Sequence, residues 1–309
     1  MDPLIVFFGL CVGILVGLTG RGGGSLMTPL LIIVFGIKPV VAVGTDLTYG
    51  AVTKTVGGWR HLRHRTVDTS LSWWMALGSV PAAIGGVYVL GVLERAHGGS
   101  FDTLMLTVVA GALLFTGVAV LARALFLPKL VELERDRVTL GRREKVSAVA
   151  LGLFVGFVLG VTSAGSGSLI AVGLILLFRL APKQVVGTDV FHAALLLWAA
   201  AIAHVVAGNV DYALAGTILC GSVPGVWLGS HWSAKVRVST LRTALAVVLI
   251  GSGLGLLSKA GAGIPPAVIA GVPLVLLVVV VWQEVVRGRR PSVSARPQAS
   301  LPPLPAADR

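Results

Sequence analysis

The chain has 309 residues, of which 55% are hydrophobic and 12% are charged, and its mean hydropathy is +0.92. An ordinary soluble domain carries about 25% charged residues, so this composition excludes a water-soluble protein and places much of the surface against lipid. The 25 Lys and Arg against 13 Asp and Glu give a net charge of +12, which in a membrane protein is interpreted first as a topology signal rather than as nucleic-acid binding.

Apolar stretches along the chain predict an all-α, polytopic transmembrane protein. A full span needs about 20 apolar residues, and two of the stretches, 25–36 and 168–179, are too short. Each follows a glycine-rich break, at 20–24 and 165–167. Irregular backbone at membrane depth requires surrounding protein or a water-filled cavity, so we predict functionally important interrupted helices. The stretches are 4–20, 25–36, 41–59, 70–92, 102–126, 146–162, 168–179, 184–206, 212–230, 240–258 and 264–286.

The sequence repeats itself in a single register. Gly44–Asp46 matches Gly187–Asp189, an offset of 143 residues (187 minus 44), and Gly78–Pro81 matches Gly221–Pro224 at the same offset. Chance matches in membrane sequence involve Gly, Ala, Val and Leu, whereas this register also aligns Asp, His and Pro. We therefore predict a duplication. Further pairs are Gly13 with Gly156, Gly24–Leu26 with Gly167–Leu169, Pro39 with Pro182, His61 with His204, and Val67-Asp68 with Val210-Asp211.

The basic residues predict the orientation, because cytoplasmic loops are enriched in Lys and Arg. With the N-terminus outside and the helices alternating, five basic clusters fall on the cytoplasmic side, within 60–65, 129–145, 179–183, 235–242 and 287–309. Five segments, an odd number, then separate the repeat starts, so the halves have opposite orientations. Inverted repeats with interrupted helices are typical of transporters and place the substrate site between the repeats, near the midplane.

These features predict five parts of the chain. The parts are a first transmembrane repeat (1–126), a cytoplasmic linker (127–145), a second transmembrane repeat (146–258), an additional C-terminal transmembrane helix (259–288) and a disordered cytoplasmic tail (289–309). The linker carries mixed charges, as a solvated loop or short surface helix does, and the tail is rich in Pro, Ser, Ala and Arg. Met1–Gly20 lacks a basic start, so a cleaved signal peptide is not expected.

The glycine-rich breaks are the first candidate binding site. A helix N-terminus presents unpaired N–H groups and a positive dipole, which suit an anion. Two such ends, inverted and facing each other, are predicted to hold one small oxyanion. The alternative is that the glycines only permit close helix packing. The candidate residues are Gly22, Gly23, Gly24, Ser25, Gly165, Ser166, Gly167 and Ser168.

Two carboxylates, Asp46 and Asp189, follow Gly-Thr near the start of a long apolar helix. An intramembrane carboxylate is costly and indicates function. One hypothesis is that both carry protons and couple transport to a proton gradient; the alternative is that they cap free N–H groups. Thr45 and Thr188 are predicted to line the anion site, although they too are suited to capping.

Four further side chains are candidates for pairing with an anion. Arg21 lies in the first glycine run and either grips an oxyanion or points to the interface. Lys54 lies two turns after Asp46 and either neutralises it or extends to the cytoplasmic interface. Tyr49 and its repeat counterpart His192 lie on an overlapping helix face.

No other pattern indicates cofactor chemistry. The chain has no HExxH, CxxC or His/Asp ligand cluster, so neither a metal nor a cofactor is expected. Cys11 and Cys220 lie in apolar stretches and are predicted to be inert core thiols.

The segments GRGGGSLMTP (Gly20–Pro29), AVGTDLTY (Ala42–Tyr49) and TKTVG (Thr53–Gly57) resemble the sulfite exporter TauE/SafE family, and the repeat copies them more loosely. The resemblance spans most of residues 1–258. It implies permeation of small sulfur-containing anions, such as sulfite or sulfonates, across the bacterial inner membrane. Because most basic residues are orientation signals, no nucleic-acid partner is expected, and because no nucleophile motif is present, no enzymatic activity is expected.

The function expected from these features is proton-coupled transport by alternating access. A passive anion channel is one alternative. A membrane-embedded enzyme using pairs such as Asp189 and His192 is another, although no nucleophile motif accompanies them.

Overall fold

The computed structural model describes residues 3–19, 24–126, 138–165, 167–232 and 238–288. These residues form eleven α-helices and a 3-10 turn at Gly98–Ser100. The helices are α1 (Pro3–Thr19), α2 (Gly24–Ile33), α3 (Pro39–Arg63), α4 (Thr69–His97), α5 (Phe101–Phe126), α6 (Arg142–Thr162), α7 (Leu169–Phe178), α8 (Pro182–Val206), α9 (Tyr212–Trp232), α10 (Val238–Lys259) and α11 (Pro266–Gly288).

The distribution of polar and apolar side chains is that of a multi-pass membrane protein. Large apolar side chains cover the outside, where Trp73 is 60% and Tyr88 73% exposed, whereas Asp46 is only 1% exposed. Exposed apolar area of this extent needs lipid to cover it. Four described segments are long and apolar enough to cross a membrane: Thr69–Ala122, Arg142–Thr162, Pro182–Val206 and Tyr212–Gly229.

The two short helices, α2 and α7, have 10 residues each. At about 1.5 Å per residue such a helix is roughly 15 Å long, half of the roughly 30 Å hydrocarbon core. Neither therefore crosses the bilayer alone, and the prediction of short interrupted helices is confirmed.

The helix contacts repeat when the two halves are exchanged. On α1, Gly13 lies against the backbone of Ser222 on α9; on α6, Gly156 lies against the backbone of Ser79 on α4. The second contact is the first with each residue replaced by its repeat counterpart: Gly13 becomes Gly156, and Ser222 becomes Ser79. Exchanging the halves twice restores the starting arrangement, so the two halves are related by a two-fold rotation.

The orientation of the two-fold axis follows from α3 and α8, which are counterparts of each other in the repeat. Gly50 of α3 lies against Leu197, and Gly57 lies against Val190, so the two helices run antiparallel. Trp198 Nε1 donates to Thr55 Oγ1 at 2.8 Å, and these residues are themselves 143 apart, which places them at the two-fold axis. Because the two helices run antiparallel, this axis is perpendicular to them, as in inverted-topology repeats.

The predictions about the cysteines, the linker and the tail have different outcomes. Cys11 and Cys220 are both exposed on the outer surface, so their assignment to the core was wrong. Most of the linker and the tail at 289–309 lie outside the described residues. Helix α6 already begins at Arg142, inside the predicted linker. The division into five parts and the cytoplasmic position of the C-terminus stay predictions.

Candidate functional site

The break after α6 is built by residues in the left-handed region. Ser163 has a φ of 58°, and Gly165 and Gly167 have φ angles of 99° and 120°. Such angles are strained for residues with a Cβ but available to glycine. The break ends α6 at Thr162 and redirects the chain into α7, so the glycines here have a local conformational reason beyond helix packing.

Asp46 joins this break to the other half of the molecule. Its Oδ2 accepts hydrogen bonds from Thr28 Oγ1 at 2.6 Å and from Ser163 Oγ at 2.8 Å. Thr28 belongs to the short helix α2, whereas Ser163 belongs to the break before the short helix α7. One carboxylate therefore connects both interrupted regions. Bonds to an ionised oxygen are about twice as strong as neutral ones.

The equivalent position in the second half has different surroundings. Asp189, the counterpart of Asp46, is also fully buried. The counterpart of Thr28 is Ala171, and that of Ser163 is Gly20, so neither hydroxyl is duplicated. The two acids therefore occupy related positions in unlike environments.

Thr45 and Thr188 connect the two halves through the backbone. Thr45 Oγ1 accepts from Asp211 N at 3.1 Å, and Thr188 Oγ1 accepts from Asp68 N at 2.9 Å. Asp68 and Asp211 each also accept a hydrogen bond, through Oδ1, from the backbone N–H three residues later in the first turn of a helix. In this conformation both threonine hydroxyls support helix starts, and their predicted role in lining the anion site stays a prediction.

Replacing Thr188 with Val is expected to lower the free energy of unfolding by about 1–3 kcal/mol, because the buried Asp68 N–H loses its acceptor. Thr45→Val is expected to cost less, because its bond to Asp211 is only partly buried. Thermal unfolding in detergent measures both. Thr188→Ser keeps the hydroxyl and is the matched control; equal destabilisation by Val and Ser contradicts the role of this bond.

Tyr49 and His192 also occupy related positions. His192 Nε2 lies 3.2 Å from Ser79 Oγ. Tyr49 lies beside Ser222, the counterpart of Ser79. All four side chains are buried. The polar interior therefore continues from Asp46 along α3 and α8.

The remaining candidates are divided between described and undescribed residues. Lys54 is 8% exposed, so it lies on the buried face of α3 with Asp46 and Tyr49 rather than in solvent. Gly24 is the first residue of α2, and Ser168 precedes α7 without a side-chain capping bond. Their roles in anion binding stay predictions. Arg21, Gly22, Gly23 and Ser166 lie outside the described residues.

The two hydroxyl partners of Asp46 are not among the residues predicted from the sequence. Thr28 and Ser163 are 18 and 117 residues from Asp46 along the chain. A signal for Thr28 was present, since a polar residue in a short apolar stretch needs a partner. No spacing pointed to Ser163, because its contact is made between the halves.

The chain is similar over most of its length to proteins named as probable membrane transporters. A family model described as Sulfite exporter TauE/SafE matches residues 5–256. The probable membrane transporter protein YjnA of Bacillus subtilis (strain 168) is 39% identical over 257 residues, covering 83% of this chain and 100% of the relative. YdhB from the same organism is 27% identical, covering 82% and 99%. No solved structure matches the chain.

Proposed function

Because the chain belongs to the sulfite exporter TauE/SafE family of membrane transporters, we propose that it moves a small sulfur-containing oxyanion, such as sulfite or a sulfonate, across the bacterial inner membrane. The family and the relatives are transporters and not enzymes. They therefore give no support to the alternative of an enzyme that uses Asp189 and His192.

The proposed anion site lies between the N-terminal ends of α2 and α7, at Gly22–Ser25 and Gly165–Ser168. Helix N-termini offer N–H donors and a positive dipole to an anion. The left-handed backbone of Gly165 and Gly167 supports this placement, because it turns the chain directly ahead of α7. Arg21 and Lys54 are proposed as the cations nearest to the pathway.

The observation that carries the proposed coupling is the position of Asp46 between Thr28 and Ser163. Protonation of this carboxylate removes its charge and weakens both hydroxyl bonds. The connection between α2 and the α6–α7 break is then loosened, as a rocking movement of one half against the other requires. The same proton neutralises a charge that repels an arriving anion. We propose that Asp46 couples anion movement to the proton gradient in this way.

A thermal-shift screen of the purified protein tests the substrate class. Sulfite, thiosulfate and sulfonates are compared with carboxylates and with chloride at equal ionic strength. A bound anion stabilises the folded state by about 2.7 kcal/mol at a concentration 100 times its Kd, so a sulfur oxyanion is expected to raise the midpoint above the chloride control. A rise with carboxylates alone, or with no anion, contradicts the proposed substrate class.

Flux measurements distinguish a passive anion channel from a proton-coupled carrier. In proteoliposomes loaded with buffer, a coupled carrier accumulates the anion when a pH gradient is imposed, whereas a channel gives a flux that ignores that gradient.

A further inference from the structure

An open groove of about 420 Å³ lies between α4 and α6, away from Asp46 and the helix breaks. Its walls are apolar and include Val146, Val149 and Leu153 of α6, with Trp74 of α4 opposite. Arg142 and Lys145 line one end. The groove is therefore cationic at one end and apolar along the rest, and an anionic amphiphile has the complementary distribution.

The cationic end lies where both helices begin. Gly152, Gly156 and Gly160 of α6 lie against Met75, Ser79 and Ala83 of α4 in the same order, so the two helices run parallel. Arg142 is the first residue of α6, and Trp74 lies in the second turn of α4. The groove thus begins at one membrane surface and extends along α6 into the hydrocarbon region. Tryptophan is enriched at such surfaces.

In the part of the chain that the structure describes, no carboxylate pairs with the positive charge at this end. The Lys145 ammonium lies 5.0 Å from the centroid of the Trp74 ring, a cation–π contact that orients it over the groove. Within the described ranges, neither Arg142 nor Lys145 forms an ion pair with a carboxylate. No described carboxylate therefore competes with an external anion for these two cations.

The related helix pair, α1 and α9, differs in sequence at these positions. The counterpart of Trp74 is Thr217, and that of Lys145 is Asp2. The inverted repeat places Thr217, and with it the start of α9, at the opposite surface. The groove is therefore a property of one membrane surface, as lipid recognition confined to one leaflet requires.

We propose that this groove binds an anionic phospholipid. Its phosphate lies against Arg142 and Lys145, and an acyl chain lies along Val146, Val149 and Leu153. Basic residues near a membrane surface attract anionic lipids, each strengthening binding by about fivefold. A zwitterionic lipid fits the same apolar walls but lacks the net charge, so the cations select the headgroup.

The test uses the full-length protein in detergent, titrated with phosphatidylglycerol or phosphatidylcholine and followed by native mass spectrometry and by the thermal midpoint. Phosphatidylglycerol is expected to bind at least tenfold more tightly. The double variant R142Q/K145Q is expected to lose about 25-fold in affinity for phosphatidylglycerol, with its affinity for phosphatidylcholine unchanged.

The control is R143Q, which removes one positive charge, as K145Q does, from the same helical turn but from a side chain that does not line the groove. It is expected to keep the native affinity for phosphatidylglycerol. If the double variant does not fold, K145Q alone is expected to lose about fivefold. Equal binding of the two lipids, equal losses in R143Q and the double variant, or the same stabilisation by inorganic phosphate would each overturn the proposal.

Discussion

Asp46→Asn is expected to reduce pH-driven accumulation of the anion by about tenfold or more, because an amide cannot take up and release a proton as an intramembrane carboxylic acid does. The affinity for the anion is expected to be kept or to rise, since the amide is uncharged like the protonated acid, neither Thr28 nor Ser163 is changed, and the amide oxygen still accepts a hydrogen bond. Uptake into proteoliposomes with an imposed pH gradient measures the first quantity, and the thermal shift with the anion measures the second.

Thr28→Val is the control for the local structure around Asp46. It removes one of the two hydroxyl donors but keeps the titrating group, so pH-driven accumulation is expected to be slowed and not lost. Asp189→Asn tests the repeat counterpart. Undiminished pH-driven uptake in both Asn variants contradicts a coupling role for either carboxylate.

Gly156→Ala is expected to destabilise the protein strongly. A Cβ at this position overlaps the Ser79 carbonyl group, so α4 and α6 must separate or bend. Overpacking of this kind costs about 1–3 kcal/mol, and the thermal midpoint in detergent is expected to fall by about 2–12 °C. Gly13→Ala is expected to have a similar effect, because it makes the related contact with Ser222.

Gly111→Ala is the matched control in the same membrane-spanning bundle. Its added Cβ meets no atom within 4 Å, so nothing has to move. Alanine also favours a helix over glycine by about 1 kcal/mol in water, and the midpoint is expected to stay constant or rise. If Gly156→Ala behaves like Gly111→Ala, the close approach of α4 and α6 is contradicted.

The membrane class, the short helices and the inverted repeats were predictable from the sequence. Each depends on a property that the chain carries locally or through its internal comparison. Composition indicates whether the surface of the protein faces water or lipid, and the length of an apolar stretch indicates whether it can span the bilayer. The matched register from Gly44–Asp46 to Gly187–Asp189 reports that the halves share one fold, and the odd number of segments between them reports the inversion.

One expectation about burial was wrong. Cys11 and Cys220 were assigned to the core because they lie in apolar stretches and free cysteine is usually buried, but both are exposed. In a bilayer an apolar side chain gains little by leaving the lipid. Apolar sequence therefore does not distinguish the lipid-facing surface from the interior.

Only the tertiary structure decided which polar groups meet. Asp46 and Asp189 are equivalent in the repeat, yet the hydroxyls of Thr28 and Ser163 reach Asp46 alone. Likewise Thr45 and Thr188 each accept an N–H from the other half. The sequence determines that buried polar groups need partners, since an unsatisfied group in an apolar interior is costly. Apart from Thr28, which is 18 residues from Asp46, the partners come from segments more than a hundred residues away. The two-fold packing of the halves brings these distant partners together.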